Sequence, residues 1–223
     1  MNLTDKQKEQ FNKYYEMLTD WNEKINLTAI TDKDEVWLKH FEDSLSIDKI
    51  KDMDQTESVI DVGTGAGFPG LPIKIAYPNI KLTLLDSLDK RIRFLEAVVR
   101  ELGLTYVTCI HGRAEDFSRS PEYREKYDLC VSRAVAGLSV LSELCIPFVK
   151  PGGSFVAYKS EKAETEIAKA ENALAILNGR IKTTEEFTLS DNVQKRVLID
   201  IEKTGLTPEK YPRRAGVPAK KPL

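Results

Sequence analysis

The chain has 223 residues, of which 41% are hydrophobic, and its formal net charge is −2. This length allows one sizeable core, so we expect one main domain with an appendage. The sequence lacks a run of about 18 consecutive apolar residues, which a membrane helix requires, and its polar beginning does not resemble a signal peptide. It therefore predicts a cytoplasmic protein that does not bind a membrane.

The charge is unevenly distributed along the chain. Residues 1–57 carry 8 basic and 14 acidic side chains, whereas residues 203–223 carry 6 basic and 1 acidic side chain. The small negative net charge argues against a polyanionic partner for the chain as a whole, but its C-terminal end is positive. If the protein binds nucleic acid, we expect this end to take part.

The cysteines and histidines do not predict a metal site. Cys109, Cys130 and Cys145 lie separately in apolar stretches without a Cys-x-x-Cys pair, and the only histidines are His40 and His111. Isolated cysteines of this kind are typical of buried structural thiols. We therefore expect no bound metal.

The first predicted element is an amphipathic helix. Thr4 can cap its start and Gln7 can reach back to the cap. Apolar residues then recur at helical spacing: Phe11, Tyr14, Tyr15, Leu18 and Trp21. A second helical segment covers residues 33–48, and residues 51–57 form a polar linker. The sequence thus predicts an N-terminal helical extension over residues 1–57.

From residue 58 onward, short apolar strands alternate with helical segments. The predicted strands cover residues 58–63, 81–86, 106–112, 127–134 and 153–159. This alternation is typical of a parallel sheet with helices on both faces. It predicts an α/β, Rossmann-like fold.

Local signals mark the ends of two helices in this region. Ser87 is the predicted N-cap of a helix over residues 88–102. A later helix over residues 161–177 ends at Asn-Gly, where Gly179 is the predicted C-cap.

The last two strands are predicted to differ in direction from the others. Residues 181–189 and 195–203 can pair as an antiparallel hairpin. The main domain then covers residues 58–205 and has a mostly parallel, seven-stranded sheet. A basic C-terminal tail follows over residues 206–223.

A glycine-rich segment follows the first strand, where residues 59–70 read VIDVGTGAGFPG. A glycine turn between a strand and a helix brings a ligand against backbone N–H groups at the carboxyl edge of the sheet. A Walker phosphate loop is excluded because no Gly-Lys-Ser/Thr follows. A dinucleotide fingerprint fits Gly63 and Gly65 but has Phe68 at its third glycine position.

Carboxylates near this turn favour an adenosine ligand with a cationic centre. Asp61 lies beside the turn, where it suits the sulfonium or ammonium group of S-adenosylmethionine better than a pyrophosphate. Asp86 ends the second strand, where a carboxylate can accept both ribose hydroxyls, as it also does in dinucleotide enzymes. After the third strand, the Ala114 backbone and Glu115 can reach the adenine edge.

The segment after the fourth strand, SRAVAG, constrains the methyl acceptor. Methylation of an exocyclic amine often uses a polar-Pro-Pro-aromatic turn here, and methylation of a pyrimidine C5 needs a cysteine, for which Cys130 and Cys145 are poorly placed. A ring nitrogen with a free lone pair, such as guanine N7, requires neither. An ion pair and a ligand contact are equally compatible with the position of Arg133.

The C-terminal segment EKYPRRAGVPAKKPL interleaves basic side chains with Tyr211 and four prolines. Basic groups for phosphates and an aromatic ring for stacking suit single-stranded or looped RNA. A solvated, disordered terminus is an equal alternative from composition alone.

Several motifs together resemble one family. They are DVGTGAGFPGLPIKI, LLDSLDKRIRFL, GRAED, SRAVAGLSVL and YPRRAGVPAKKPL, with WNEKINLTAI and HFEDSL near the N-terminus. This combination, spread over nearly the whole chain, resembles the bacterial guanine-N7 methyltransferases of small-subunit ribosomal RNA, also called glucose-inhibited division protein B. The resemblance implies a class I methyltransferase that uses S-adenosylmethionine to methylate N7 of one guanosine in the 530 loop of 16S ribosomal RNA.

The resemblance also implies which residues contact the cofactor: Gly63, Phe68, Ala114, Glu115 and Arg133. To these we add Thr64 and Gly65 from the glycine turn and Asp86 from its place at a strand end. Thr64 stands where many family members have serine or alanine. RNA contacts are predicted from charge and position for Lys159, Arg196, Arg213 and Arg214. The partner is 16S ribosomal RNA or the small subunit, and the protein is expected to be a monomer.

Three alternatives remain open from the sequence. The first is a methyltransferase that acts on a small molecule or a protein. The second is a nicotinamide dehydrogenase, against which Asp61 and the third glycine position weigh. The third is a non-catalytic RNA-binding module with the same fold, since a fold does not fix a function. No residue stands out as a catalytic acid or base.

Overall fold

The computed structural model describes residues 3–160 and 162–223. Its strands, numbered in chain order, are β1 (Ser58–Val62), β2 (Lys81–Asp86), β3 (Val107–His111), β4 (Tyr127–Arg133), β5 (Val149–Lys159), β6 (Gly179–Thr188) and β7 (Lys195–Lys203). They form one sheet in the order β3-β2-β1-β4-β5-β7-β6. The pairs among β1 to β5 are parallel, and β7 pairs antiparallel with β5 and β6. The predicted seven-stranded sheet with its C-terminal hairpin is confirmed.

Helices cover both faces of this sheet. They are α1 (Asp5–Ile25), α2 (Lys33–Val36), α3 (Asp43–Leu45), α4 (Gly70–Ala76), α5 (Asp89–Glu101), α6 (Ala114–Phe117), α7 (Leu138–Cys145), α8 (Ala163–Leu177) and α9 (Val217–Lys220). Successive residues of β1 point to opposite faces, so Val59 belongs to one apolar core and Ile60 to the other. The first core contains α1, α4 and α5, and the second contains α7 and α8.

Helix α1 packs against the core that contains α4 and α5. Its capping box is as predicted, because Thr4 Oγ1 accepts from Gln7 N–H and Gln7 Oε1 accepts from Thr4 N–H. Its buried side chains Phe11, Tyr14 and Leu18 face the core that contains α4 and α5. The predicted apolar stripe is therefore confirmed at its centre.

The second N-terminal segment changes helical geometry along its length. After α2, a π-helical turn (Trp37–Glu42) leads into α3 and a 3₁₀ turn (Ser46–Lys49). The helix predicted over residues 33–48 is confirmed, but apolar spacing did not indicate the π turn. Such turns are frequent at functional sites, and this one carries His40.

Two predicted helix caps are wrong. The N-cap of α5 is Leu88 rather than Ser87. The apolar side chain of Leu88 cannot form a capping bond, and its N–H donates to Asp86 Oδ1 at 3.0 Å. At the end of α8, Asn178 adopts the left-handed conformation with φ of 57°, and Gly179 begins β6 instead. Asparagine is the commonest substitute for glycine there. The predicted start of that helix at residue 161 lies outside the described residues.

The C-terminal tail, residues 206–223, is folded against the main domain. Arg124 donates to the carbonyl oxygens of Thr207 and Tyr211 at 2.7 and 2.9 Å, and Ser139 Oγ donates to Leu223 O at 2.9 Å. The alternative of a solvated, disordered terminus therefore does not hold. Within the described ranges, no helix is both long and apolar enough to cross a membrane.

Candidate cofactor and acceptor site

A cavity of about 530 Å³ lies at the carboxyl ends of β1, β2, β3 and β4. Parallel strands present their ligand sites at this edge, and the volume falls within the usual range for small-molecule pockets. The glycine turn and the ends of the four strands form its floor. Residues from the N-terminal extension and from the C-terminal tail complete its walls: Leu27, Thr28, His40, Gly216 and Ala219.

The glycine turn is shaped so that its backbone faces this cavity. Gly63 has a φ of +72°, and a Cβ at this position would lie 2.6 Å from Val135 Cγ2. Gly65 has a φ of +62° with no atom within 4 Å of where its Cβ would be, so its backbone is open to a ligand. Both positions require glycine, the first for conformation and space and the second for conformation.

Asp61 does not line the cavity. Its carboxylate is fully buried, and Oδ2 accepts from Thr64 Oγ1 at 2.7 Å and from Gly70 N–H at 2.8 Å. Burial raises the pKa of Asp61 to about 7. The prediction that this carboxylate faces a cationic ligand is therefore wrong. Asp61 instead holds the two ends of the glycine turn together.

Asp86 lines the cavity at the end of β2, as its spacing indicated. It is almost fully buried, and its Oδ2 accepts from Gly65 N–H at 2.9 Å and from Arg91 at 3.2 Å. A carboxylate has about four lone-pair sites, so Asp86 retains acceptor capacity for a hydroxyl group.

Ala114 and Glu115 lie at the start of α6 and line the same cavity. Glu115 Oε1 accepts from Gly216 N–H of the tail at 3.0 Å. Gly216 and Ala219 thus form a wall that sequence reasoning missed. The contact spans about a hundred residues of chain, and no local pattern signals it.

Arg133 forms the ion pair that was one alternative from its sequence position, and its place in the cavity wall leaves the predicted ligand contact open. It lines the cavity, and its guanidinium lies 5.1 Å from the centre of the Phe68 ring. It also pairs with the buried carboxylate of Asp43 at 2.8 Å. Asp43 belongs to the N-terminal extension, so this ion pair fixes the extension to the end of β4.

His40 was also missed from the sequence. Its ring stacks on Phe68 with 4.4 Å between ring centres, and its Nδ1 accepts from Arg133 at 3.2 Å. Burial and the neighbouring Arg133 charge lower the pKa of His40 to about 4. The imidazole is therefore neutral near pH 7 and is a weak proton acceptor.

Three of the four residues predicted to contact RNA are engaged by carboxylates. Lys159 pairs with Glu166 at 2.7 Å, Arg196 with Asp43 at 3.2 Å and Arg213 with Glu143 at 2.6 Å. Arg214 differs, because it is exposed and forms no ion pair within the part of the chain that the structure describes. The structure thus brings the predicted cofactor residues together around one cavity and distributes the predicted RNA residues around the domain.

The cysteines lie away from the cavity. Cys130 and Cys145 are buried, and burial raises the pKa of Cys109 to about 12 and that of Cys130 as well. Within residues 3–160 and 162–223, no three His, Cys, Asp or Glu side chains are grouped to hold a metal ion.

The residues present fit S-adenosylmethionine. The open backbone at Gly65 accommodates a closely approaching ligand, Asp86 offers an acceptor for ribose, and Glu115 lies at the far wall of the cavity. The fold agrees: M. jannaschii TYW2 in complex with AdoMet matches with a TM-score of 0.57 and 17% identity, over 74% of this chain and 76% of that one. The Bacillus subtilis YcgJ protein matches with a TM-score of 0.56 and 12% identity, over 74% of this chain and 100% of that one. The fold is that of the class I S-adenosylmethionine-dependent methyltransferases.

The chain belongs to the rRNA small subunit methyltransferase G family, whose model matches residues 7–197. Ribosomal RNA small subunit methyltransferase G of Brevibacillus brevis is 50% identical over 223 residues, which is 100% of this chain and 94% of that protein. The protein of the same name from Staphylococcus carnosus is 51% identical over 222 residues, 99% of this chain and 92% of the relative. The resemblance seen in the sequence motifs is confirmed.

Proposed function

We propose that this protein transfers a methyl group from S-adenosylmethionine to N7 of one guanine in the 530 loop of 16S ribosomal RNA. The names of the full-length relatives support the small ribosomal subunit as the substrate. The position and the loop follow from the motif resemblance, together with the chemistry of the acceptor side of the cavity.

The observation that carries the choice of N7 is the apolar loop after β4. Ala134, Val135 and Ala136 line the cavity there, and none of them can accept a proton or act as a nucleophile. His40 is the titratable side chain that the N-terminal extension contributes to the cavity, and its pKa of about 4 makes it a weak base. This site suits an acceptor that needs no base, and guanine N7 has a free lone pair and no proton to lose.

The proposed division of labour follows the walls of the cavity. Gly63, Thr64, Gly65 and Asp86 hold the ribose and the methionine portion, and Ala114 and Glu115 hold the adenine edge. Phe68 and Arg133 close the side that faces the N-terminal extension. The bound cofactor supplies an electrophilic methyl group on a sulfonium centre, and the chain supplies orientation and exclusion of water.

The RNA contacts are proposed for exposed cations around the cavity rather than for the paired ones. Arg113 is exposed and lines the cavity next to Ala114, and Arg214 and Lys220 are exposed on either side of Gly216 and Ala219. Among the described residues these three cations form no ion pair. Of the four cations predicted from the sequence, we retain Arg214 as an RNA contact.

The extension (1–57) and the tail (206–223) are proposed to act as walls of the main domain (58–205). Since one chain supplies every wall of the cavity, we propose that the protein acts as a monomer, located in the cytoplasm with its substrate. Sedimentation equilibrium at assay concentrations tests the monomer, and a dimer mass would contradict it.

The substrate is tested by methyl transfer from radiolabelled S-adenosylmethionine. Small subunits from cells that lack the gene are compared with large subunits, free 16S RNA and total protein. We expect label in the RNA of small subunits or in free 16S RNA, and loss of that label with Asp86→Ala. Label in protein or in a small molecule, with unlabelled RNA, would contradict the proposal.

A further inference from the structure

The loop after β4, residues 134–137, has an unusual conformation. Ala134 has a φ of 56°, in the left-handed region that alanine rarely adopts. Val135 is 43% exposed, although it is apolar, and its methyl groups lie directly over Gly63. Backbone of this kind persists only where its surroundings hold it in place.

Lys159 and Glu166 hold the C-terminal end of this loop. Lys159 Nζ donates to Ala136 O at 2.7 Å and pairs with Glu166 Oε2 at 2.7 Å. The same Glu166 oxygen accepts from Leu138 N–H at 2.8 Å. Because Gly137, the N-cap of α7, has no side chain to offer, Glu166 supplies the cap from α8.

The Lys159–Glu166 pair acts at a distance from the ligand. Neither residue lines the cavity, whereas three residues of the loop do. The Lys159 side chain is 8% exposed, so its charge is not presented to an RNA phosphate. The contacts of these two side chains with the loop therefore link them to the cavity.

We propose that Lys159 and Glu166 are positioning residues for the methyl acceptor, and that Val135 is the side chain through which the loop contacts the acceptor base. The inference rests on the proposed function. An exposed apolar side chain at the edge of the cofactor cavity offers a flat base a packing surface beside Gly63. If the loop is displaced by about 1 Å, the acceptor nitrogen is no longer in line with the methyl–sulfur bond. Methyl transfer then slows by up to about a hundredfold.

The test compares steady-state methylation of small subunits with cofactor binding measured by calorimetry. Lys159→Met keeps the length of the side chain but removes its donors, and Glu166→Gln removes the charge. We expect kcat/KM for subunits to fall tenfold or more in both variants, while the Kd for S-adenosylmethionine stays within twofold. Lys159→Arg restores at least part of the activity because a guanidinium can donate to both oxygens.

The double variant Lys159→Met/Glu166→Gln is expected to lose no more activity than the more impaired single variant, since both substitutions disrupt the same ion pair. Val135→Thr, which keeps the shape and adds a hydroxyl, is expected to lower kcat/KM severalfold with an unchanged cofactor Kd.

Two results would overturn the inference while wild type remains active. The first is full activity of all four non-conservative variants. The second is a parallel loss of cofactor affinity, thermal stability and activity, which would show a merely structural role. If wild type itself fails to label small subunits while it binds S-adenosylmethionine, the proposed function fails first. If Lys159→Met does not fold, Glu166→Gln and Val135→Thr decide the question.

Discussion

At the residue scale, Gly63 is the position where space and conformation act together. Alanine there must adopt a φ of +72° and place its Cβ against Val135. We expect Gly63→Ala to weaken S-adenosylmethionine binding at least tenfold and to lower the free energy of unfolding by about 1–2 kcal/mol. Calorimetry and urea denaturation measure the two effects.

Gly103→Ala is the matched control for this change. Gly103 also has a positive φ, of +62°, with no atom within 4 Å of its would-be Cβ, and it lies outside the cavity. It is expected to lose stability through its positive φ alone, without the clash at Gly63, and to bind the cofactor normally. Equal cofactor affinity in the two variants would contradict the assigned role of Gly63.

His40 is expected to contribute to the pH dependence of stability. Its pKa falls from the ordinary 6.5 to about 4 in the folded protein, so between these values the unfolded chain binds a proton that the folded chain does not. The free energy of unfolding therefore decreases as pH falls through this window, by on the order of 1–3 kcal/mol.

His40→Gln removes this contribution, which isolates it from all other titrations. As pH is lowered from about 7.5 to about 5, the free energy of unfolding of wild type is expected to decrease relative to that of His40→Gln. Urea denaturation at several pH values measures it, and parallel stability profiles would refute the assignment.

Single residues differ in how far the sequence could predict them. Gly63, Gly65 and Asp86 follow from spacing within one strand–turn–helix unit, so a local pattern contains them. His40 and Gly216 reach the cavity across long stretches of chain, and only the folded structure brings them there. The partners of Lys159, Arg196 and Arg213 are equally remote in sequence, which is why charge alone suggested RNA contacts.

At the element scale, the alternation of strands and helices was sufficient to predict the parallel part of the sheet, because β1 to β4 are short and each is followed by a helix. Helix ends were less predictable. Leu88 rather than Ser87 is the N-cap of α5, and Asn178 adopts the left-handed conformation that was expected for Gly179. Both outcomes depend on single hydrogen bonds and backbone angles.

The tail is the element whose attachment can be tested most directly. Arg213 donates to both carboxylate oxygens of Glu143, which is only 1% exposed. Arg213→Met leaves that charge buried without its partner, for which we expect a loss of about 3–5 kcal/mol. Because the tail also supplies a wall of the cavity, cofactor affinity is expected to fall with it.

Arg214→Met serves as the control, since Arg214 is the exposed neighbour. It should leave the free energy of unfolding and the cofactor Kd unchanged. Denaturation and calorimetry on both variants measure these effects, and an unchanged cofactor Kd in folded Arg213→Met would show that the tail is not part of the site.

At the scale of the whole molecule, a net charge of −2 is compatible with RNA binding because the cations are placed locally. Arg113, Arg214 and Lys220 are exposed around or beside the cavity. Replacing each with Gln is expected to reduce the slope of log affinity against log salt concentration by about 0.7–0.9 per lost phosphate contact.

Lys81→Gln is the control for this series. Lys81 is exposed at the start of β2, on the opposite edge of the parallel sheet from the cavity. Filter binding to 16S RNA at several salt concentrations measures the slopes. A slope reduced as much by Lys81→Gln as by Arg113→Gln would place the RNA elsewhere or show that the attraction is not localised.

Chemical mapping of the modified RNA tests most directly whether the protein methylates guanine N7 at one position. Borohydride reduction followed by aniline cleaves RNA at N7-methylguanosine. Small subunits from cells lacking the gene, incubated with the protein and S-adenosylmethionine, are predicted to yield one new cleavage site, within the 530 loop. Incorporated methyl groups without such a cleavage, or a cleavage outside that loop, would contradict the account.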